Sequence, residues 1–373
     1  MSIKVAVFKE SGAGEKRVAL TPDSLSKLVN ADITVSVYPN AGLEAFFPDE
    51  AYKTAGASVD DVIASADIVL KVLPPTLDEA RSINSGATLI STGQPASFLD
   101  AIKELASKGC SVFAMDLLPR ISRAQSMDSL SSQASAAGYK AVLLAAMRLP
   151  KFFPMLMTAA GTIPPAKVLV MGAGVAGLQA IATAKRLGAQ VSAYDVRGAV
   201  KEEVQSLGAK FVELNLEVQE GQGGYAGEQS SEFQAKLQEL IGETVRACDV
   251  VITTAAIPGR SAPILITKEM VEGMRPGSII VDLAASTGGN CELTVNGEDV
   301  NVGGVTIIGT SELPSAIATN ASQLYAKNLV NFLLPMIKEG QLEINLEDEV
   351  VSATCVVYKG EVRHGPTKEL LAK

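Results

Sequence analysis

The chain has no tryptophan, one histidine and four cysteines in 373 residues, and each shortage removes a class of chemistry. One histidine, His364, cannot build a histidine-rich metal centre. It sits beside Gly365-Pro366 near the end of the sequence, where a surface role is expected before a catalytic one. Cys110, Cys248, Cys291 and Cys355 lie far apart with no CxxC pair, so no metal site and no disulfide framework is expected. They read as buried or incidental thiols of a reducing compartment. Basic residues are in deficit: 32 Lys and Arg face 41 Asp and Glu, a net charge of −9. That balance argues against nucleic acid or an anionic membrane surface as a direct partner. No apolar run has the character of a membrane span. The longest uncharged stretch, Val168 to Ala184, is interrupted by a glycine turn, so any membrane role is expected to come through a partner. No signal peptide opens the chain either, since Met1-Ser2-Ile3-Lys4 runs straight into a strand.

What the chain does have is the stretch from Lys167 to Arg197, KVLVMGAGVAGLQAIATAKRLGAQVSAYDVR. A short apolar strand leads into Gly172-Ala173-Gly174-Val175-Ala176-Gly177, then into an Ala- and Leu-rich helix. A second strand, Gln190 to Tyr194, ends at Asp195. Gly172 permits the tight turn, Gly174 lets the backbone approach a pyrophosphate, and Gly177 lets helix and strand pack closely. The helix N-terminus offers free N–H groups and the positive end of a dipole to phosphate. Asp195 can accept from both hydroxyls of an adenosine ribose. GxGxxG alone is weak, but strand, helix and acid at these distances make it strong. The bland alternative is a nucleotide-fold turn that binds nothing. Asp195 favours NAD over NADP because a 2′-phosphate would meet a carboxylate, and Arg197 close by complicates that preference.

The length predicts two domains. Strands and helices alternate at βαβ spacing on both sides of the glycine turn, giving an α/β fold of two Rossmann-like, doubly wound parallel-sheet domains with a cleft between them. The expected division is 1–128 plus 322–373 for the first domain, a connecting helix and linker over 129–165, and 166–321 for the nucleotide-binding domain. The halves echo each other. ASADIVLKV (Ala64 to Val72) parallels RACDVVITT (Arg246 to Thr254), and SGATLIST (Ser85 to Thr92) parallels PGSIIVDL (Pro276 to Leu283). Thr158 to Pro165 reads as a small-residue linker, and Val350 to Tyr358 with Glu361 to Arg363 as a terminal hairpin.

Three loops at expected strand ends of the first domain could serve a cleft: Lys71 to Pro75, Thr92 to Pro95 and Arg120 to Asp128. The last, RISRAQSMD, is the richest. Gln125 can both donate to and accept from a nicotinamide carboxamide. Arg120 and Asp128 can pair and hold the loop in shape. Equally, the segment can be a helix N-terminus with Ser126 as cap and Asp128 in the first turn. In the polar stretch 217–232, Gly223-Gly224-Tyr225-Ala226 suggests a lid whose tyrosine covers a ligand, against the alternative of a disordered surface loop.

PRISRAQSMD, MTAAGTIPPAKVLVMGAGVAGLQAIATAKRLGA, GGYA, TTAAIPGRSAPILIT and GGNC together resemble the NAD(H)-binding component of proton-translocating NAD(P) transhydrogenase, in a fold shared with alanine dehydrogenase. The resemblance covers nearly the whole chain. It implies NAD(H) as cofactor, NADP(H) as co-substrate on a partner component, a membrane component that moves protons, and a homodimer of this component, cytoplasmic and peripheral to the inner membrane. It implies that Arg120, Gln125, Asp128 and Ser131 hold the nicotinamide end as the residues that carry transfer, with Met127 beside them. Gly172, Gly174, Val175, Ala176 and Gly177 match the pyrophosphate turn, and Asp195, Val196 and Arg197 the adenosine end. Gly224 and Tyr225 belong to a mobile loop, and Ala256 to a segment lining the nucleotide. Direct hydride transfer between two nicotinamides breaks no O–H or N–H bond, so no general acid or base is needed, only alignment at about 3–3.5 Å. An alanine-type dehydrogenase is the alternative activity. It would pair a lysine matching Lys71 with a catalytic histidine where this chain reads Ser91-Thr92-Gly93-Gln94-Pro95, and the histidine is missing. Lys71 then reads as a strand-end residue. A non-catalytic NAD-binding module is the third possibility, although such a module has no need of Arg120 to Asp128 or Tyr225.

Overall fold

Alternate residues of the central strands feed opposite cores. In Lys4–Val7, Val5 and Val7 enter one apolar cluster, while Ala6 and the following Phe8 enter another. In Lys167–Met171, Val168 and Val170 face one cluster and Leu169 and Met171 the other. Strands buried on both faces become continuous apolar runs, as parallel sheets covered by helices require. The computed structural model describes residues 3–31, 33–213, 231–256, 261–310 and 312–372. Its chain separates into two compact units, Met1–Ala136 with Pro314–Lys373, and Ala137–Leu313.

The sheet of the first unit runs Ser58–Val59, Thr34–Val37, Lys4–Val7, Ile68–Leu70, Thr88–Ser91 and Ser111–Ala114, all parallel. Cys355–Tyr358 and Glu361–Val362 extend it antiparallel. In the second unit the order is Lys210–Phe211, Gln190–Tyr194, Lys167–Met171, Val250–Thr253, Ile279–Asp282 and Val305–Ile308, again parallel. Asp299–Val302, a strand not expected from the sequence, closes its edge antiparallel. Both units therefore wind outward from a first strand in the doubly wound order. The repeated strings fall on equivalent strands, the fourth and fifth of each sheet, so the echo in sequence is an echo in topology.

Two local expectations are corrected. Val350 to Thr354 is not strand: Glu349–Thr354 is helical, and the hairpin begins only at Cys355. Asp348 caps that helix, its Oδ1 accepting from Val350 N at 2.9 Å and Val351 N at 3.2 Å, which offsets the β preference of the valines. Thr158 to Pro165 is not plain linker. After the helix Ser129–Arg148, Leu156–Thr158 and Gly161–Ile163 form a two-stranded antiparallel hairpin of their own.

Candidate functional site

In the second unit the winding reverses between Lys167–Met171 and Val250–Thr253, and the glycine turn opens at that switch point. Gly172 has a φ of +101°, where only glycine sits without strain. Its carbonyl accepts from Thr254 Oγ1 at 3.1 Å. Gly177 is dictated by packing, since a Cβ there would overlap the Gly172 carbonyl oxygen. Gly174 differs from both. Its φ of −79° suits any residue, and a Cβ added to it would meet nothing within 4 Å. The wall behind the turn is closed and the space before Gly174 is open, which is what a phosphate approaching the backbone requires. Helix Val175–Arg186 starts at Gly174, so its unpaired first N–H groups and positive dipole end lie at the same place. The residues present thus fit a dinucleotide pyrophosphate. Gly138, on the helix Ser129–Arg148, lies so close to the Ala176 carbonyl that a Cβ there would overlap it, fixing the first turn from outside.

Asp195 follows the neighbouring strand and turns back to the glycines. Its Oδ2 accepts from Ala173 N at 2.7 Å, and Arg197 forks over both oxygens at 3.0 Å through Nε and Nη2. Burial alone would push this carboxyl up, but the bonds from Arg197 and Ala173 outweigh it and hold the group below the usual carboxylate range. Asp195 is therefore ionised at neutral pH. Arg197 is largely exposed, and such an ion pair contributes little, so a ribose hydroxyl can replace it at small cost. Val196 between them is 80% exposed.

Two residues without an assigned role in the sequence fix the segment leading to Ala256. Asp282 is fully buried and accepts from Thr253 Oγ1 at 2.9 Å, Ala284 N at 3.0 Å, Asn290 N at 2.7 Å, Cys291 N at 3.0 Å and Thr294 Oγ1 at 2.7 Å. The Asn290 side chain accepts from Ala255 N at 3.0 Å and donates to the carbonyls of Ala255 and Pro263 at 2.8 Å. The available signal was an acid ending the apolar strand IIVD, the same pattern that marks Asp195. Ala256 itself is exposed; Ile257 to Arg260, Gly224 and Tyr225 lie outside the described residues.

In the first unit, Ser122–Met127 forms a 3₁₀ turn and the helix Ser129–Arg148 follows. Asp128 does not pair with Arg120 in the described contacts. Its Oδ1 accepts from Ser131 N at 2.9 Å and its Oδ2 from Ser131 Oγ at 2.6 Å, so Asp128, and not Ser126, caps the helix. The free N–H groups of a helix start draw the carboxylate more strongly than a distant guanidinium does. Arg120 and Gln125 are exposed, and Met127 is buried. Arg123 forks onto Asp348 at 2.7 Å, and the guanidinium beside Asp348 holds its carboxyl down at about 2.

Lys71 is more than a strand-end residue. Its Nζ is sequestered, 3.3 Å from Glu10 and 3.0 Å from Glu79, over the Phe8 ring. Burial pushes the Glu10 carboxyl up, whereas at the less buried Glu79 the attraction of Lys71 together with hydrogen bonds from Thr76, Lys71 and Ser11 outweighs burial and holds it down. A carboxylate substrate arriving at Lys71 would meet two carboxylates. His364 is half-buried and its Nδ1 is 2.7 Å from Thr367 Oγ1, at the start of the last helix. Among the described residues no cluster of His, Cys, Asp and Glu could hold a metal ion, and no helix is long and apolar enough to cross a membrane.

Doubly wound sheets with a glycine turn at the switch point define a dinucleotide-binding α/β protein. Family models described as "Alanine dehydrogenase/PNT, N-terminal domain" and "C-terminal domain" match residues 6–137 and 141–365. An NAD(P) transhydrogenase subunit alpha chain of Rhodospirillum rubrum is 47% identical over 376 residues, covering 97% of this chain and 98% of its own. A crystal structure of transhydrogenase from Sinorhizobium meliloti superposes with a TM-score of 0.89 at 48% identity, over 96% of this chain and 99% of the other. A structure of L-alanine dehydrogenase gives 0.84 at 25% identity, over 99% of each chain. The chain belongs to the alanine dehydrogenase/PNT family, and within it the stronger similarity is to NAD(P) transhydrogenase alpha subunits.

The two glycines separate binding from folding. Gly174→Ala keeps an allowed backbone and gains about 0.4–1 kcal/mol of stability by restricting the unfolded chain. It also takes the space of a charge-assisted phosphate bond worth about 1.5–3 kcal/mol, so NADH binding falls roughly tenfold or more. Gly177→Ala instead overpacks the turn and costs about 1–3 kcal/mol. Thermal melts and NADH titrations of the two variants check this; equal destabilisation by both would contradict it.

Proposed function

We propose that the chain is the NAD(H)-binding component of a proton-translocating transhydrogenase, passing hydride from NADH to NADP⁺ held by a partner subunit while a membrane component moves protons. The observation that carries this reading is the open approach to Gly174 beside an ionised Asp195, in a chain whose nearest candidate for substrate chemistry, Lys71, is locked between two glutamates. NADH supplies the hydride when bound. The protein then has only to hold and aim it. Gly172, Gly174, Val175, Ala176 and Gly177 bind the pyrophosphate, and Asp195, Val196 and Arg197 the adenosine ribose. Arg120, Gln125, Met127, Asp128 and Ser131 hold the nicotinamide end. Gly224, Tyr225 and Ala256 belong to the same assignment. With no group to protonate, a site of Arg, Gln, Asp and Ser is sufficient. In this reading the chain is cytoplasmic and reaches the membrane only through its partners.

The test is reconstitution. The pure chain should bind NADH, followed by nucleotide fluorescence, and transfer nothing to NADP⁺ alone. Adding an NADP(H)-binding transhydrogenase component should start the transfer. Binding of NADH without transfer in the mixture would sink the proposal, and turnover of alanine with NAD⁺ would establish the dehydrogenase alternative.

The proposed homodimer draws support from the hairpin Leu156–Thr158/Gly161–Ile163. Among the described residues it pairs with no other strand, and it exposes Met157 (75%) on one face and Ile163, paired with Leu156, on the other, with Phe152 and Met155 exposed just before it. An isolated hairpin is marginal in water, and large apolar side chains left exposed on and around it suit a surface covered by a partner. Met157→Glu with Ile163→Glu should convert a dimer to a monomer in sedimentation and leave NADH binding intact. A wild-type monomer, or a dimer indifferent to both changes, would contradict it.

A further inference from the structure

We propose that Asn328 and Asn331 are positioning residues for hydride transfer, holding the Ser122–Met127 turn, and with it Gln125, in a single shape. The inference rests on the assignment of Arg120 to Ser131 to the nicotinamide end. None of the described hydrogen bonds or ion pairs engages the side chain of Arg120 or Gln125, and both are exposed. The backbone they stand on must therefore be fixed by something else.

Both asparagines lie on the helix Ala318–Leu333, and each donates an Nδ2 hydrogen to the carbonyl of Ser126, the residue after Gln125, at 3.0 Å. A carbonyl has two lone pairs, and here both are taken by one helix. The Asn328 amide cannot turn round without loss. Ser132 Oγ donates to its Oδ1 at 2.7 Å, which leaves Nδ2 aimed at Ser126. Ser132 Oγ in turn accepts from Gln133 Nε2 at 3.2 Å, and Gln133 Oε1 accepts from Arg17 Nη1 at 2.8 Å. Arg17 Nε is bonded to Glu15 at 2.8 Å in a part-buried pair. A continuous polar chain thus runs from that ion pair through Gln133, Ser132 and Asn328 to the backbone beside Gln125. Fully satisfied networks of this kind specify one arrangement. Arg123 and Asp348 brace the same turn through their exposed forked pair, which contributes less because water screens it.

The signature follows from unequal magnitudes. One amide bond adds little to net stability. A displacement of a reacting group by about 1 Å can cost roughly a hundredfold in rate. Asn331→Asp and Asn328→Asp keep size and shape but replace the donor with an acceptor facing the Ser126 carbonyl. Asn331→Gln retains the donor. Asn331 is half-buried with its bond to Ser126 at the surface, whereas Asn328 is buried, so the Asn331 variants stand even where Asn328→Asp fails to fold. The full chain would be mixed with an NADP(H)-binding transhydrogenase component, and NADH affinity, first-turnover transfer rate and melting temperature measured together. The expected result for Asn331→Asp is transfer slowed roughly ten- to hundredfold, with NADH affinity held within about twofold and an unchanged melt. Asn331→Gln should recover most of the rate. Wild-type transfer with Asn331→Asp equally fast, or slowed only in proportion to lost NADH affinity, overturns this inference alone. A wild-type chain that binds NADH and never transfers overturns the underlying assignment and this inference with it.

Discussion

The carbonyl oxygen of Gly172 occupies the place where any side chain at Gly177 would have to go, and the proposed nucleotide site depends on that contact. It pins the start of the helix Val175–Arg186 to the end of the strand Lys167–Met171, so the helix's free N–H groups stand at the switch point of the sheet. Thr254 ties the same carbonyl to the next strand, and Gly138 closes on Ala176. With the turn immobilised from behind, only the Gly174 side remains open. In the proposed site a phosphate is admitted by an absence of atoms in a place that the packing around it keeps clear.

Polar groups are treated differently in different regions of the chain. Asp282 is buried with five donors and Asn290 with three partners, so both are structural in effect and serve the site by fixing the backbone before Ala256. Buried groups satisfied to this degree have no capacity left for a ligand. Lys71, Glu10 and Glu79 satisfy one another in the same way. Asp195 is the contrasting case: its partner Arg197 is exposed and replaceable, which suits a ligand acceptor.

The doubly wound folds and the glycine turn were legible in the sequence because their signals are local: apolar runs, glycine spacing, an acid at a strand end. Even the repetition of strings between the halves translated directly into equivalent strands. Expectation failed where the deciding partner was a side chain that residue spacing alone does not select. The helix Glu349–Thr354 reads as a strand until Asp348, itself held by Arg123, caps it. Asp128 was open between pairing with Arg120 and standing in the first turn of a helix capped by Ser126, and it is instead the cap, through Ser131. Lys71 looked solitary because its two carboxylates come from other elements, Glu10 from the loop after Lys4–Val7 and Glu79 from the helix Leu77–Ser82. The asparagines that hold Ser126 stand some two hundred positions away, so no pattern near Gln125 could reveal them.

The central claim is that the protein aligns two nicotinamides and performs no acid–base step of its own. The most direct measurement uses NADH deuterated at C4, mixed with this chain, an NADP(H)-binding transhydrogenase component and NADP⁺. Mass spectrometry of the NADPH formed, in H₂O and in D₂O, then traces the transferred atom. Direct transfer predicts that the deuterium arrives at C4 of NADPH without loss and that none enters from solvent. Solvent hydrogen at that carbon, or deuterium released to water, would contradict it.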